Sequence, residues 1–384
     1  MNKKPHVVIL NKAFPPWIGG IEKHVHDIGA ALASRGWRVT VLVSNDQRFE
    51  SREQRDGVNV IRAPQWARIF SQPIVHGYFH ALRDARPDLV HVHVPFPLGW
   101  FSVGHINSTT PLICTWHSDI IRQRFLMPFL WIFQKRFLDR CNRIIPTSQP
   151  LLDHSKDLKP YRDKCSVIPL ALPPMDPSLQ PSIERHRERL QKQFHGKMIL
   201  FVGRLVGYKG LSYLIEAMQQ IDANLCIAGD GALQETLRLQ CKKLGVESKV
   251  SFLETVDEAE KYALYRTADV LALPSISRNE AFGYVLLEAM EQGCPVISTD
   301  LPTGVQFVNR HGESGFVVPP QDAPALAHAI QQILHDAELR KKLTHGARER
   351  VHRLFRFESM IDQLENVYEK SLQSVGSSDF TLQR

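Results

Sequence analysis

The sequence predicts an α/β protein with two doubly wound parallel sheets that face each other across a cleft. Three observations lead to this prediction. The chain has 384 residues, which is more than one compact core usually holds. Short apolar segments alternate with helical patterns in both halves, as is typical of parallel βαβ units. A stretch with five prolines, IPLALPPMDPSLQP, separates the halves and is typical of a linker.

The first half opens with a strand–loop–helix–strand unit. The apolar run at residues 6–10 leads through a loop containing Gly19 and Gly20 into a helical pattern that Gly36 is well placed to end. Further strands are predicted at residues 38–44, 88–94 and 112–116.

The βα rhythm restarts after the linker. Strands are predicted at residues 198–203, 224–229, 249–253, 270–274 and 295–299. The predicted domains are residues 1–172 and 173–356, followed by a helix at 357–373 with an apolar stripe and a flexible tail at 374–384. In such sheets ligands bind at the carboxyl ends of the strands.

Composition and charge limit the class of protein. The hydrophobic and charged fractions, 43% and 23%, are ordinary for a globular protein, and the net charge of +7 favours anionic partners. No nucleic-acid-reading motif is present, so nucleic acid is not an expected partner. Six cysteines without a CxxC pair argue against a disulfide framework or a structural zinc site. The sequence has neither a signal peptide nor an 18-residue apolar run, which predicts a cytoplasmic protein.

Two glutamates in the segment NEAFGYVLLEAM are the first candidate binding residues. Glu280 and Glu288 would diverge by roughly 80° on one continuous helix. A loop at residues 281–283 that opens a helix near Tyr284 removes this divergence, and a helix N-terminus suits a diphosphate. Carboxylates there can accept hydrogen bonds from sugar and ribose hydroxyls. The alternative is a solvated helix with two ordinary acids.

Two further loops carry candidate phosphate contacts. Gly203, Arg204 and Lys209 lie between a predicted strand and helix, where the two cations could clamp a leaving diphosphate. Gly19 and Gly20 could let backbone N–H groups approach a phosphate, although the absence of GxGxxG disfavours a dinucleotide site. The alternatives are a solvated basic turn and a plain tight turn.

Histidines follow or occupy two predicted strands. His117 lies in TWHSDI, where it could contact a reacting sugar, and its alternative is a structural histidine. His91 and His93 alternate on one strand and share a face, but the sequence identifies no third ligand for a metal. A structural role is therefore favoured for these two.

The segment 121–143 is both basic and aromatic. This composition predicts reversible association with an anionic membrane surface, whereas the alternative is a core-packing helix with snorkelling charges. The aromatic residues are Phe125, Phe129, Trp131, Phe133 and Phe137, and the basic ones are Arg122, Arg124, Lys135, Arg136, Arg140 and Arg143.

These motifs in this order resemble glycosyltransferase family 4, whose members have the GT-B fold of two Rossmann-like domains. The resemblance covers nearly the whole chain, from Gly19-Gly20 through PTSQP to GESGFVVPP and the final helix. It implies an N-terminal acceptor-binding domain, a C-terminal domain that binds a nucleotide sugar, and a C-terminal helix that crosses back to the first domain.

The resemblance also implies roles for individual residues. Glu280 would bond donor-sugar hydroxyls, Glu288 the ribose, and His117 would lie beside the donor sugar. The residues implied in catalysis are His117, Arg204, Lys209 and Glu280. Those implied in donor binding are Gly19, Gly20, Gly203, Arg204, Lys209, Leu253, Glu254, Glu280, Ala281, Phe282, Gly283 and Glu288.

The implied reaction retains the anomeric configuration and needs neither a metal nor a cofactor. The segments LPTGVQFVN and TWHSDIIRQ look closest to mannosyl- or rhamnosyltransferases of polysaccharide and lipopolysaccharide pathways. That subgroup implies a GDP- or UDP-linked hexose, a glycan or lipid-linked acceptor, and a peripheral position on the inner face of the cell membrane. One departure is the loop at residues 299–304, where many members carry a Gly-Gly pair.

Two other functions are compatible with parts of the pattern. A nicotinamide oxidoreductase also uses doubly wound sheets, but GxGxxG is absent. A nucleotide-sugar-binding protein that has lost transfer would keep the sheets, but Arg204, Lys209, Glu280 and Glu288 are all present.

Overall fold

The computed structural model describes residues 4–17, 19–69, 72–75, 77–119 and 127–379. The chain forms two compact units. Unit 1 comprises Met1–Leu170 and Glu358–Arg384, and unit 2 comprises Ala171–Phe357.

Unit 1 is built on a seven-stranded sheet. The strands of unit 1, including two outside this sheet, are β1 His6–Leu10, β2 Arg38–Ser44, β3 Ser51–Arg55, β4 Val58–Ala63, β5 Gln65–Ile69, β6 Gln72–Val75, β7 Leu89–Val94, β8 Leu112–Trp116 and β9 Arg143–Pro146. Its helices before the linker are α1 Gly20–Ser34, α2 Tyr78–Asp84, α3 Pro97–Phe101, α4 Met127–Arg140 and α5 Gln149–His154. The sheet order is β3-β4-β2-β1-β7-β8-β9, with only the β3–β4 pair antiparallel, and β5 and β6 form a separate hairpin.

Unit 2 is built on a six-stranded sheet that is parallel throughout, in the order β12-β11-β10-β13-β14-β15. Its strands are β10 Met198–Val202, β11 Asn224–Ala228, β12 Val250–Leu253, β13 Val270–Leu273, β14 Val296–Thr299 and β15 Gly315–Val318. Its helices are α6 Gln180–Gln193, α7 Leu211–Ala217, α8 Gln234–Leu244, α9 Glu258–Thr267, α10 Tyr284–Glu291, α11 Gly304–Val308, α12 Ala323–His335 and α13 Ala337–Leu354.

The central strands explain why both units fold this way. Every residue of β1 (HVVIL) and of β10 (MILFV) is buried, as expected for strands covered by helices on both faces. In each sheet, successive strands are added first on one side of this central strand and then on the other. The switch lies between β1 and β7 in unit 1 and between β10 and β13 in unit 2. Loops that leave such a switch point diverge and open a crevice at the carboxyl edge of the sheet.

The strands predicted from the sequence are all present, but six others within the described residues were missed. β3 reads SREQR and is almost entirely exposed at the edge of the sheet, so it lacks an apolar signal. β6, β9 and β15 have four residues each and were also missed, although the equally short β12, β13 and β14 were predicted. The two remaining missed strands are β4 and β5.

The last helix, α14 Phe357–Asp379, packs in unit 1 and continues past the predicted end at residue 373. Its Glu365 accepts hydrogen bonds from Lys4 Nζ at 2.7 Å, Arg35 Nη1 at 2.6 Å and Trp37 Nε1 at 2.6 Å. Burial alone would raise the pKa of Glu365, but these three donors outweigh it and lower the pKa to about 2. Glu365 therefore anchors α14 to the start of the chain and to the end of α1.

None of the helices within the described ranges combines the length and apolar composition needed to cross a bilayer.

We expect Glu365→Gln to lower the free energy of unfolding by on the order of 2 kcal/mol at neutral pH, because three donors lose their charged acceptor. Since the folded-state pKa is depressed from 4.5 to about 2, the stabilisation is complete above about pH 4.5 and is lost as pH falls towards 2. Urea unfolding at about pH 7 and about pH 3 checks this, and the difference from the wild type should shrink at the lower pH.

The matched control is Glu358→Gln on the same helix. Glu358 also contacts Arg35, but its side chain is 64% exposed, so its loss should cost less than about 0.5 kcal/mol. Equal losses for the two variants would contradict the anchoring role of Glu365.

Candidate functional site

The loops at the switch point of unit 2 are packed backbone against backbone. Gly210 has φ +68°, and a Cβ atom there would lie 2.0 Å from the carbonyl oxygen of Pro274. A Cβ atom on Gly229 would lie 2.2 Å from the carbonyl oxygen of Gly203. Only glycine allows these approaches, which bring the loops after β10, β11 and β13 together at one edge of the sheet.

Lys209 and Glu280 meet at this edge. Lys209 ends a 3-10 turn at Gly207–Lys209, and its Nζ donates to Glu280 Oε2 at 2.6 Å. Ser275, just beyond β13, donates its hydroxyl to the same oxygen at 2.9 Å. Both bonds are accepted by Oε2, so the second carboxylate oxygen keeps its capacity to accept from a ligand hydroxyl.

The Lys209–Glu280 ion pair is nearly closed to solvent, with both side chains 10% exposed. A buried pair of this kind adds little net stability, because removing both charges from water costs about as much as their attraction returns. Removing only one partner is far more costly, since it leaves a buried charge without compensation. The pair is therefore better explained by a need for a fixed carboxylate than by a need for stability.

Glu288 lies one turn inside α10. Gly283 precedes this helix in the left-handed conformation, with φ +77°, and α10 starts at Tyr284. This arrangement confirms the predicted loop between the two glutamates. Lys261 Nζ donates to Glu288 Oε1 at 2.6 Å, and the Tyr265 hydroxyl donates to Oε2 at 2.8 Å.

Tyr265 remains a hydrogen-bond donor at all ordinary pH values. Burial, and secondarily the carboxylate of Glu288, raise the pKa of its hydroxyl well above the usual value. Both glutamates of the predicted pair are thus held by one lysine and one hydroxyl group each.

The two predicted cations are in different environments. The charge of Lys209 is already balanced by Glu280. Arg204 is exposed, and its Nη2 lies 3.4 Å from the hydroxyl oxygen of Tyr208. No carboxylate pairs with Arg204 in the part of the chain that the structure describes, so Arg204 carries the uncompensated charge of this loop.

Other predicted binding residues of unit 2 also lie at the carboxyl edge of its sheet. Leu253 closes β12 and its carbonyl accepts from Gly229 N at 3.4 Å, while Glu254 follows it in an exposed position. Phe282 is buried, so a ligand contact there would involve its backbone.

The loop at residues 299–304 packs against the segment between Glu280 and Glu288. Gly304 N donates to the carbonyl oxygen of Ala281 at 2.8 Å, and a Cβ atom on Gly304 would lie 2.6 Å from Cδ2 of Phe282. Gly304 therefore allows the loop at residues 299–304 to lie close against Ala281 and Phe282.

In unit 1, Gly19 and Gly20 form the start of α1. Gly19 is extended and precedes the helix, and its carbonyl oxygen accepts from Lys23 N at 3.0 Å. The position agrees with the predicted junction of loop and helix. The neighbouring residue Ile18 lies outside the described ranges.

His117 follows β8 and is almost fully buried. Its backbone N donates to Val94 O at 3.0 Å, and its Nε2 lies 2.9 Å from Nδ1 of His93. Burial lowers the pKa of His117 well below the usual value, so its ring is neutral. Across the described ranges, no group of three or more His, Cys, Asp or Glu residues is arranged to hold a metal ion.

The structure describes only part of the predicted membrane segment 121–143. Arg122, Arg124 and Phe125 lie outside the described residues. Phe137 is fully buried in the unit 1 core, so at this position the core-packing alternative holds, because composition does not reveal which face of a helix packs inward. Trp131, Ile132 and Phe133 are 55%, 50% and 38% exposed.

Sequence reasoning missed three residues that hold the candidate side chains: Ser275, Lys261 and Tyr265. It singled out His93 as a structural histidine, but not its bond to His117. Ser275 follows a predicted strand at the ligand-binding edge, and that position was a usable signal. Lys261 and Tyr265 are four residues apart on α9 and share a face, but only tertiary packing points this face at Glu288.

Comparisons with known proteins are consistent with this geometry. The model described as "Glycosyltransferase Family 4" matches residues 18–174, and "Glycosyl transferases group 1" matches residues 182–350. O-antigen chain mannosyltransferase C of Escherichia coli is 30% identical, over 94% of this chain and 97% of that protein. D-rhamnosyltransferase WbpZ of Pseudomonas aeruginosa is 33% identical, over 88% of each protein.

Solved structures agree in fold. Sucrose-phosphate synthase from Thermosynechococcus elongatus has a TM-score of 0.80 at 25% identity, over 97% of this chain and 100% of that chain. Anabaena Alr3699/HepE in complex with UDP-glucose has a TM-score of 0.78 at 19% identity, over 95% and 100%. The fold is therefore GT-B. With two family models and two full-length relatives in agreement, this chain is a glycosyltransferase and belongs to glycosyltransferase family 4.

Proposed function

We propose that the protein is a retaining, metal-independent hexosyltransferase that moves mannose or rhamnose from a GDP- or UDP-linked donor to a glycan or lipid-linked acceptor. The Lys209–Glu280 pair beside the N-terminus of α10 is the observation that carries this proposal. The sugars are those named for the two relatives, a mannosyltransferase and a D-rhamnosyltransferase. The first relative acts on the O-antigen chain, which favours an acceptor in cell-envelope polysaccharide synthesis.

The donor would use the two held carboxylates differently. Glu288, fixed by Lys261 and Tyr265, accepts hydrogen bonds from ribose hydroxyls. Glu280, fixed by Lys209 and Ser275, accepts from hydroxyls of the sugar. The diphosphate lies near the start of α10, where free N–H groups and the helix dipole favour negative charge. The backbone near Leu253 and Glu254 contacts the base.

The transfer step needs charge stabilisation more than it needs an enzyme nucleophile. The oxygen of the acceptor hydroxyl attacks the anomeric carbon as the bond from that carbon to the β-phosphate oxygen breaks. Both events occur on the same face, so configuration is retained, and the hydroxyl proton passes to the departing phosphate. Arg204 and the N-terminus of α10 stabilise the charge that develops on the leaving diphosphate.

The acceptor would be bound by unit 1, where Gly19, Gly20 and His117 lie at the carboxyl ends of β1 and β8. Family membership favours a glycosyltransferase over a nicotinamide oxidoreductase, and the intact Arg204, Lys209, Glu280 and Glu288 favour an active enzyme over a binding protein.

We expect Arg204→Ala to lower kcat by on the order of 100-fold, since it removes the uncompensated cation that faces the leaving group. Steady-state transfer from GDP-mannose, GDP-rhamnose and the UDP-linked hexoses to lipid-linked acceptors measures it. Unchanged turnover in Arg204→Ala would remove Arg204 from the mechanism.

The Lys209–Glu280 pair needs a double-mutant cycle as a companion measurement. Lys209→Met alone should destabilise the fold, because Glu280 is left buried without its partner. Lys209→Met combined with Glu280→Gln should recover stability but not transfer. Recovery of both would show that the pair is only structural.

A second prediction concerns the nucleotide. A nucleotide at 100 times its dissociation constant stabilises the protein by about 2.7 kcal/mol, so thermal shifts with GDP, UDP, ADP and TDP should reveal the base. Tyr265→Phe should weaken binding of the preferred nucleotide about fivefold, because Glu288 loses one of the bonds that fix it. The matched control is Tyr262→Phe on the same helix, because the hydroxyl of Tyr262 donates to Glu258 and not to Glu288. Equal affinities in the two variants would contradict the role of Glu288.

The third prediction concerns the membrane, where we place a peripheral contact on the inner face. Trp131, Ile132 and Phe133 are exposed apolar residues at successive positions of α4, and the ring of Phe101 lies 4.7 Å from that of Phe133. Trp131→Ser with Phe133→Ser should reduce binding to phosphatidylglycerol vesicles by on the order of tenfold.

Charge should contribute as well. Neutralising Lys135 and Arg136 should weaken binding to phosphatidylglycerol but not to phosphatidylcholine vesicles, since each basic residue near an anionic surface contributes about 1 kcal/mol. Leu239→Ser, at a position in unit 2 that is 67% exposed, is the matched control for lost apolar surface. Unchanged vesicle binding in the α4 variants would exclude this surface.

A further inference from the structure

Four buried histidines form one cluster in unit 1. His24 comes from α1, His91 and His93 from β7, and His117 from the end of β8. Ring centroids of His93 lie 4.4 Å from His91, 5.2 Å from His117 and 5.7 Å from His24. Such a concentration of polar rings in a core requires their hydrogen bonds to be specified.

The hydrogen bonds divide the cluster into two separate sets. His91 is satisfied at both nitrogens, with Nδ1 at 2.7 Å from the Tyr368 hydroxyl and Nε2 at 2.7 Å from Thr115 Oγ1. His93 has a single bond, from Nδ1 to Nε2 of His117 at 2.9 Å. Its Nε2 is buried and has no partner among the described residues.

All four rings are neutral at physiological pH. Burial is the largest cause in each case and lowers the pKa to about 4 for His24 and about 3 for His91. It lowers the pKa of His93 and of His117 well below the usual value, and the neighbouring rings add to the effect. The bond between His93 and His117 therefore contains one proton, which belongs to one ring or the other.

The two possible placements of this proton are not equivalent. If His117 donates from Nε2, then His93 carries its own proton on Nε2, where a buried N–H group has no acceptor. If His93 donates from Nδ1, the unpartnered atom is a bare nitrogen, and His117 carries its proton on Nδ1. Orphaned buried N–H groups are the rarer and more costly defect, so the second placement is favoured.

We propose that His93 is a positioning residue that fixes His117 as the neutral Nδ1–H tautomer, so that His117 meets its ligand as a hydrogen-bond donor. This inference rests on the proposed function, in which His117 lies beside the reacting sugar. Nδ1 of His117 has no partner among the described residues and is not among the fully enclosed unpartnered atoms, which leaves it accessible to a ligand.

The fixed tautomer limits what His117 can do in the reaction. Its Nε2 lone pair accepts from His93, and its Nδ1 already carries a proton, so neither nitrogen can take the proton of an acceptor hydroxyl. His117 can instead donate to an oxygen without a proton, such as a ring oxygen or a phosphate oxygen. This agrees with the proposed route, in which the hydroxyl proton passes to the leaving phosphate.

The tautomer can be measured directly in the full-length protein without any substrate. Ring-¹⁵N-labelled histidine distinguishes Nδ1–H, Nε2–H and doubly protonated rings by their nitrogen shifts and couplings, and His117→Gln assigns the signal. We expect a neutral ring protonated on Nδ1. A ring protonated on Nε2, or on both nitrogens, would overturn the inference.

Kinetics of three variants test the consequence for transfer. His93→Phe cannot donate, and we expect its kcat to fall by on the order of tenfold with little change in donor KM. His93→Asn keeps an N–H group near the position of Nδ1, and we expect it to stay within about threefold of wild type. Tyr368→Phe removes a bond from His91 but not from His117, so it controls for general disturbance of the cluster.

Each outcome bears on one hypothesis. Unchanged kcat in His93→Phe, or equal losses in His93→Asn and His93→Phe, would contradict the positioning role. A protein that shows the Nδ1–H tautomer but transfers no hexose would contradict the proposed function and leave the tautomer assignment intact.

Discussion

The parallel sheet imposes the constraint on which the candidate site depends. All strands of such a sheet deliver their carboxyl ends to one edge, so residues far apart in the chain are brought together there. In unit 2, Lys209 and Glu280 are 71 positions apart and meet at 2.6 Å. In unit 1, β7 and β8 are paired, and His93 meets His117 from 24 positions away. The glycines at 210 and 229 are needed because these loops can converge only if their backbones nearly touch.

Charge balance decides how the converging side chains can be used. Glu280 and Glu288 are both buried, and an isolated buried carboxylate would be neutralised or destabilise the fold. Each is instead paired with a lysine and a hydroxyl group, which keeps it in one orientation. The lysines are thereby committed to the carboxylates, and Arg204 keeps its charge uncompensated among the described residues. In the sequence Arg204 and Lys209 look like two equivalent cations of one loop. In the structure Lys209 is paired with Glu280, whereas Arg204 has no carboxylate partner among the described residues.

The sequence predicted the elements that have strong periodic or conformational signals. The loop before α10 followed from the divergence of Glu280 and Glu288 on a continuous helix, and Gly283 in the left-handed conformation provides it. Edge strand β3 gave no signal, because its side chains face solvent. The partners of Glu288 could not be predicted, since the face of α9 that carries Tyr265 is selected by packing alone. The inward position of Phe137 on α4 could not be predicted for the same reason.

The two units solve the problem of buried polar groups in opposite ways, and the contrast bears on the chemistry. Unit 2 keeps its carboxylates charged by pairing them, whereas unit 1 keeps its histidines neutral by desolvating them. A charged, fixed carboxylate is a strong acceptor for hydroxyl groups, and a neutral, fixed imidazole is a donor of one proton. In the proposed reaction Glu280 binds the donor sugar, and the proposed tautomer of His117 leaves it no free lone pair, so neither is assigned the part of general base. In the proposed transfer, the departing phosphate would accept the proton of the hydroxyl group. The protein would position the reactants and stabilise the developing charge electrostatically.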